Sequence, residues 1–108
     1  SEKIAFTYHF AGRVQAVVGT HTHVQTADER LVYGTAAITD LGMCGAYTSV
    51  LGRDVNEILT RFTTEEKTKF KIAEGPGILC GAVVQIDEAT RKAVHIERIQ
   101  IRPADVEC

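Results

Sequence analysis

The sequence predicts a mixed α/β protein of the α+β kind, built from a helix, two buried strands, a second helix and an antiparallel meander. Three observations carry that prediction. Val55, Ile58, Leu59 and Phe62 fall at i, i+3, i+4 and i+7, the spacing that gathers apolar side chains on one helix face. Residues 14–18 and 35–39 are short runs rich in apolar and β-branched residues, closed by Gly19 and Asp40, as strands covered on both faces are. Residues 69–102 carry alternating or continuous apolar stretches separated by Gly75-Pro76-Gly77 and the polar stretch 87–92, the layout of strands joined by turns.

Taken in order, residues 1–10 place Ile4, Ala5 and Tyr8 at helical spacing, and Ser1 can cap the first turn, so a short helix is predicted that gives out at Ala11-Gly12. Val14-Gln15-Ala16-Val17-Val18 reads as a buried strand ending at Gly19, and the polar segment 20–30 follows it. Residues 35–39 form the second buried strand, terminated by Asp40. Gly42, Gly45 and Gly52, with Tyr47, Thr48 and Ser49 among them, mark 41–52 as a loop with special backbone demands. The helix at 54–62 opens on Asp54, and Glu57 stands at capping-box spacing from it. After the charged turn 63–69, Phe70 and Ile72 alternate with Lys69 and Lys71, which predicts a half-buried strand. Residues 78–86 and 93–102 are strands linked by the polar connection 87–92. In the last of these, Val94 and Ile96 share one face while Ile99 and Ile101 share the other. A phase change of one residue near Glu97-Arg98 predicts a bulge.

Composition bounds the function. The chain has 108 residues, 12 Lys+Arg against 14 Asp+Glu, and a net charge of −2. Residues 1–54 hold 4 basic and 5 acidic groups and residues 55–108 hold 8 and 9, so neither half is a polybasic platform for DNA or an anionic membrane. At 44% hydrophobic and 24% charged, the composition is that of a globular protein. A chain of this length buries roughly 65% of its unfolded surface, enough for one core. No stretch approaches the ~20 apolar residues of a membrane span, and the N-terminus lacks a signal-peptide layout. Cys44, Cys80 and Cys108 are odd in number and widely spaced, which argues against a disulfide framework and for a reducing cytoplasm.

The chemistry concentrates in Val17-Val18-Gly19-Thr20-His21-Thr22-His23-Val24. Two histidines one residue apart lie ~200° apart on a helix but project to the same side of an extended chain leaving a strand. Same-side imidazoles suit one metal or two adjacent metals, because neutral ring nitrogens are good donors to zinc, iron, manganese or nickel. Gly19 lets the backbone turn sharply as it leaves the sheet. Asp28, Glu29 and Asp40 are the nearby carboxylates that could complete a shell, Asp40 with the stronger claim because it ends a buried strand. His9 reads as a helix-face residue and His95 as a strand residue. Cys44 has no visible base or helix N-terminus to lower its pKa, so it reads as an idle thiol.

Gly19-Thr20-His21-Thr22-His23 resembles the final Gly-His-x-His-type motif of calcineurin-like binuclear metallophosphoesterases. The longer run resembles one branch of them, the YmdB-like phosphodiesterases, through Ser1-Glu2-Lys3, the stretch Ala16 to Asp28, Gly34-Thr35-Ala36 and Thr39-Asp40-Leu41-Gly42-Met43-Cys44-Gly45. The resemblance extends through Arg61-Phe62 to the closing hairpin and is most specific over 16–28. It implies metal-dependent hydrolysis of phosphodiesters, with 2′,3′-cyclic nucleotides as substrate class and His21 and His23 as metal ligands, each serving a different ion of a pair. Iron, manganese or zinc suits such mixed shells. In that scheme paired cations activate water and neutralise the phosphoryl oxygens during in-line attack.

The resemblance also implies a layered α/β/β/α sandwich, to which residues 1–108 contribute the C-terminal part of a single metallophosphoesterase domain. The family's earlier metal-ligand blocks and its general-acid histidine have no counterpart here, so this chain alone is expected to be inactive. Two other readings remain open from the residues: a non-catalytic oligomerising or ligand-binding module, and a small mononuclear cupin-like metal domain using His21, His23 and a carboxylate. Half a sheet exposes an edge and an apolar face, which favours a homo-oligomer.

Overall fold

The computed structural model describes residues 1–104; Cys108 and the other residues of 105–108 lie outside the description. In chain order the elements are α1 (Glu2–Phe10), β1 (Ala16–Val18), β2 (Arg30–Val32), β3 (Thr35–Ile38), β4 (Gly45–Ala46), α2 (Val55–Thr63), β5 (Gly77–Ile86) and β6 (Ala93–Ile101). They make two three-stranded sheets, ordered β1-β3-β2 and β4-β5-β6. The mixed α/β class and most elements agree with the sequence reading. The described residues divide into two compact units, one of Ser1–Met43 with Cys80–Gln100, the other of Cys44–Leu79 with residues 101–104.

In the first unit β3 is the central strand and is buried along its whole length. It pairs parallel with β1, Ala16 opposite Ala36, and antiparallel with β2, Val32 opposite Thr35. The two-residue β2–β3 turn has positive φ at both Tyr33 (50°) and Gly34 (79°), as a type I′ hairpin needs for its twist to match the strands. The core joins Ala36 and Ile38 to Ala93 and Ile96, with Leu41, Ala82 and Val84 packed against them. Within β5, Ile78, Cys80, Ala82 and Val84 take the less exposed positions, so this strand keeps the period of two. Asp87 organises the β5–β6 turn by accepting from the amides of Ala89 (2.8 Å) and Thr90 (3.0 Å).

Several expectations are corrected here. β1 is not buried: Val18 is 48% exposed, because β3 is its one partner in this sheet. The inward face of α1 is not Ile4, Ala5 and Tyr8 but Lys3, Thr7 and Phe10. Thr7 can be buried because its hydroxyl donates to the Lys3 carbonyl at 2.9 Å. Ser1 occupies the N-cap position without a side-chain cap bond. In β6 the less exposed residues are Ala93, Ile96 and Ile99 while Val94 is exposed, so Val94 and Ile96 do not share a buried face, and strict alternation already fails before Glu97.

In the second unit α2 begins as predicted: the Asp54 carboxylate accepts from the Glu57 amide at 2.9 Å. The reciprocal half of the capping box is replaced, because the Glu57 carboxylate binds the Arg53 guanidinium (2.8 Å) and the Thr68 hydroxyl (2.6 Å). The Thr68 bond, against a smaller effect of burial and with Arg53 assisting, holds Glu57 below its usual carboxylate range. The strand expected at Phe70 and Ile72 reduces to a single bridge between Arg53 and Ile72. Its apolar side is not covered: Phe70 is 67% and Ile72 70% exposed. The Arg53 guanidinium lies 4.6 Å from the centre of the Phe70 ring.

Candidate functional site

Gly19 begins the histidine loop by wedging the chain against residues 38–41. Its amide donates to the Ile38 carbonyl (3.2 Å), and its own carbonyl accepts from Leu41 (2.8 Å). A Cβ at this position would stand 2.1 Å from the Thr39 carbonyl oxygen. Glycine is required there by close approach rather than by a sharp turn.

Beyond Gly19 the chain is a series of bends, not the extended segment expected from the strand exit. His21 has φ 125° and His23 φ 68°, so both histidines sit in the positive-φ region that non-glycine residues seldom adopt. Such backbone costs roughly 1–3 kcal/mol per residue and persists only where its surroundings impose it. Both histidines are exposed.

The carboxylate that bonds Thr22, the residue between the two histidines, is Asp40, which is completely buried. Its Oδ2 accepts from the Thr22 amide (2.8 Å) and the Thr22 hydroxyl (2.7 Å), and its Oδ1 from the Gly42 amide (2.8 Å). The Lys3 ammonium stands 3.5 Å from Oδ2 and donates to the carbonyls of Thr20 (2.6 Å) and Thr39 (3.4 Å). Burial pushes the Asp40 carboxyl up, but the Thr22 and Gly42 amides, the Thr22 hydroxyl and the Lys3 charge outweigh it, so the group is held below its ordinary value as an anion.

Downstream, the Thr26 amide donates to the Asp40 carbonyl (3.0 Å), and the Gln25 carboxamide donates to the carbonyls of Leu41 (3.2 Å), Gly81 (3.1 Å) and Ile99 (2.9 Å). Gln25 thus pins the far end of the loop to β5 and β6. Asp28 accepts from the hydroxyls of Thr26 and Thr39 and from the Thr39 amide. Burial pushes its carboxyl up, but those donors prevail and bring it from 3.8 down to about 2. The folded protein therefore binds this proton later than the unfolded chain. The stabilisation is complete above about pH 4 and is lost as pH falls through 2. Asp28→Asn is expected to lower the thermal midpoint at neutral pH and to flatten its fall between about pH 4 and 2. Parallel pH slopes for the two proteins in thermal melts would refute this.

The three carboxylates proposed to complete a metal shell all have partners of their own. Asp40 serves Thr22, Gly42 and Lys3, Asp28 serves Thr26 and Thr39, and Glu29 pairs with Arg98 at 3.0 Å. Among the described residues no group of three His, Cys, Asp or Glu side chains is placed to hold a metal ion. The donor set the chain does offer, two exposed imidazoles on an anchored loop, fits part of a metal shell. His9 stacks edge-on against Phe10 in α1, and His95 lies exposed on β6. The sequence reading misses Lys3, Thr22, Gln25 and Thr26 as loop anchors. Their partners lie far along the chain, Thr22 18 residues from Asp40, so no local spacing marks them.

The fold and the site define a mixed α/β protein that presents a histidine loop from the end of a sheet strand. No helix among the described residues is long and apolar enough to cross a membrane. The chain belongs to the family described as YmdB-like protein, whose model matches residues 1–99. It is similar to a 2′,3′-cyclic-nucleotide 2′-phosphodiesterase of Bacillus subtilis (strain 168), with 54% identity over 102 residues, covering 94% of this chain and 39% of that protein. A crystal structure described as a novel phosphatase of Mycoplasma pneumoniae superimposes with a TM-score of 0.85 at 37% identity, over 93% of this chain and 36% of the other. A hypothetical protein from Thermus thermophilus superimposes with a TM-score of 0.82 at 39% identity, over 93% and 39% of the respective chains. The chain thus spans under two fifths of the length of each of these relatives.

Proposed function

We propose that the natural protein is a metal-dependent phosphodiesterase of the 2′,3′-cyclic-nucleotide class. In this reading residues 1–108 are the C-terminal part of a single calcineurin-like metallophosphoesterase domain, and His21 and His23 are its last metal ligands. The observation that carries the reading is the loop itself: two exposed imidazoles in imposed, positive-φ backbone, in a chain 54% identical to a 2′,3′-cyclic-nucleotide 2′-phosphodiesterase. Metal ions, iron, manganese or zinc, supply charge neutralisation and activation of water when bound. His21 and His23 would hold them through their ring nitrogens. Asp40 and Lys3 fix the backbone that carries both rings, and Gln25 ties that backbone to the sheet. The remaining ligands and the general acid are contributed by the length that the relatives have beyond this match. The cysteine pattern supports a cytoplasmic setting. The exposed Leu59, Phe62, Phe70 and Ile72 support a homo-oligomer.

The test is hydrolysis of 2′,3′-cyclic AMP and of bis(p-nitrophenyl) phosphate by the natural protein before and after chelation. Activity should vanish with the metal and return on adding Mn²⁺, Zn²⁺ or Fe²⁺. Activity that survives chelation refutes the metal-dependent reading. Residues 1–108 alone should hydrolyse neither substrate, and turnover by them that His21→Ala abolishes would overturn the assignment of a partial site.

A further inference from the structure

We infer that Asp40 is the positioning residue of the histidine loop, acting through Thr22, and that Lys3 is its buried-charge partner. The inference deepens the functional reading above and rests on His21 and His23 being ligands. Thr22 is the residue between the two histidines, and it carries the polar contacts that fix the loop at its centre. Its amide and hydroxyl both donate to one oxygen of Asp40. The same hydroxyl accepts from the Val24 amide at 3.3 Å, which carries the constraint one residue past His23. Lys3 closes the arrangement from the other side by holding the carbonyl of Thr20, the residue before His21. The positive φ angles on either side of Thr22 are thus bracketed, residue by residue, by bonds that converge on one buried carboxylate.

A merely structural aspartate would stabilise the fold and leave the ligand geometry of the folded molecules untouched. A positioning aspartate changes metal binding by molecules that remain folded. Groups that orient metal ligands from behind typically contribute about 10–100-fold in affinity. Asp40→Asn keeps the shape but turns an N–H donor toward a Thr22 amide that is itself a donor, or else toward Gly42. Lys3→Gln removes the partner charge from a side chain that is 39% exposed, so it perturbs packing least.

The experiment compares wild type, Asp40→Asn, Lys3→Gln and His21→Ala as the natural protein. It reads Mn²⁺ affinity by calorimetry, thermal midpoint, and amide hydrogen exchange at Thr22 and Gly42 in the metal-free state. Asp40→Asn should speed exchange at both amides by about tenfold or more and weaken Mn²⁺ by about 10–100-fold in the folded protein. Lys3→Gln should weaken Mn²⁺ severalfold in the molecules that remain folded. A lowered midpoint with Mn²⁺ affinity unchanged in Asp40→Asn would make Asp40 structural only and overturn the inference. Should Asp40→Asn fail to fold, unchanged Mn²⁺ affinity in Lys3→Gln overturns it equally. His21→Ala separates the two levels: Mn²⁺ binding retained there refutes the ligand reading. Mn²⁺ lost there but kept in Asp40→Asn refutes the positioning role alone.

Discussion

Gly19→Ala is expected to cost at least about 3 kcal/mol, the upper end of overpacking in a closely packed interior. The added Cβ would lie 2.1 Å from the Thr39 carbonyl oxygen and 3.2 Å from its carbon, so it meets backbone that no rotamer change can move aside. That backbone cannot retreat freely either. Thr39 follows β3, the strand buried along its whole length, and precedes Asp40, whose carboxylate holds Thr22 and Gly42. Against a total stability of roughly 5–15 kcal/mol for a domain, this is a large fraction. Gly81→Ala is the matched control, because nothing lies within 4 Å of its added Cβ and it sits in β5. There the change should be neutral or gain about 0.5–1 kcal/mol from the more restricted unfolded chain. Urea unfolding of both variants checks the pair. A Gly19→Ala midpoint equal to that of wild type would mean that residues 38–41 yield, and that the close approach is not a constraint.

The reason Gly19 matters is not visible in the sequence, although the glycine is. A glycine after Val17-Val18 reads as a place where the chain turns, whereas its requirement comes from a neighbour 20 residues away in sequence. The same divide runs through the rest of the molecule. The Asp54 cap, the helix α2 and the strand β5 are local properties and appear in the structure as read, although Leu59 and Phe62 of the apolar face of α2 stay exposed. β2 escapes the sequence reading because it is three residues long, and its turn puts Tyr33 rather than asparagine or a second glycine at positive φ. The orientation of α1 reverses because apolar spacing alone does not register that Thr7 can satisfy its own hydroxyl on the helix, or that Lys3 has three acceptors on two other segments. Asp40 is legible as a buried carboxylate at a strand end. Its role is not, because a carboxylate that binds metal and one that binds backbone amides look alike until the amides are located.

His21→Ala and His23→Ala are each expected to remove metal and phosphodiesterase activity from the natural protein while leaving the fold in place. Both side chains are exposed and lie outside the core, so truncation leaves no cavity. Alanine at φ 125° or 68° fits no better than histidine, so any stability change should stay within about 1 kcal/mol. The catalytic loss should be far larger. Stabilisation of phosphoryl charge by a bound metal is worth several kcal/mol. At about 1.4 kcal/mol per decade that is a rate loss on the order of 10³-fold. Metal content by elemental analysis, far-UV circular dichroism and turnover of 2′,3′-cyclic AMP should therefore separate into one unchanged property and two lost ones. Unfolding of either variant would make the pair structural, and wild-type metal content in both would remove the histidines from the site. A third result, each variant losing about half of the metal, would show that each imidazole serves a different ion.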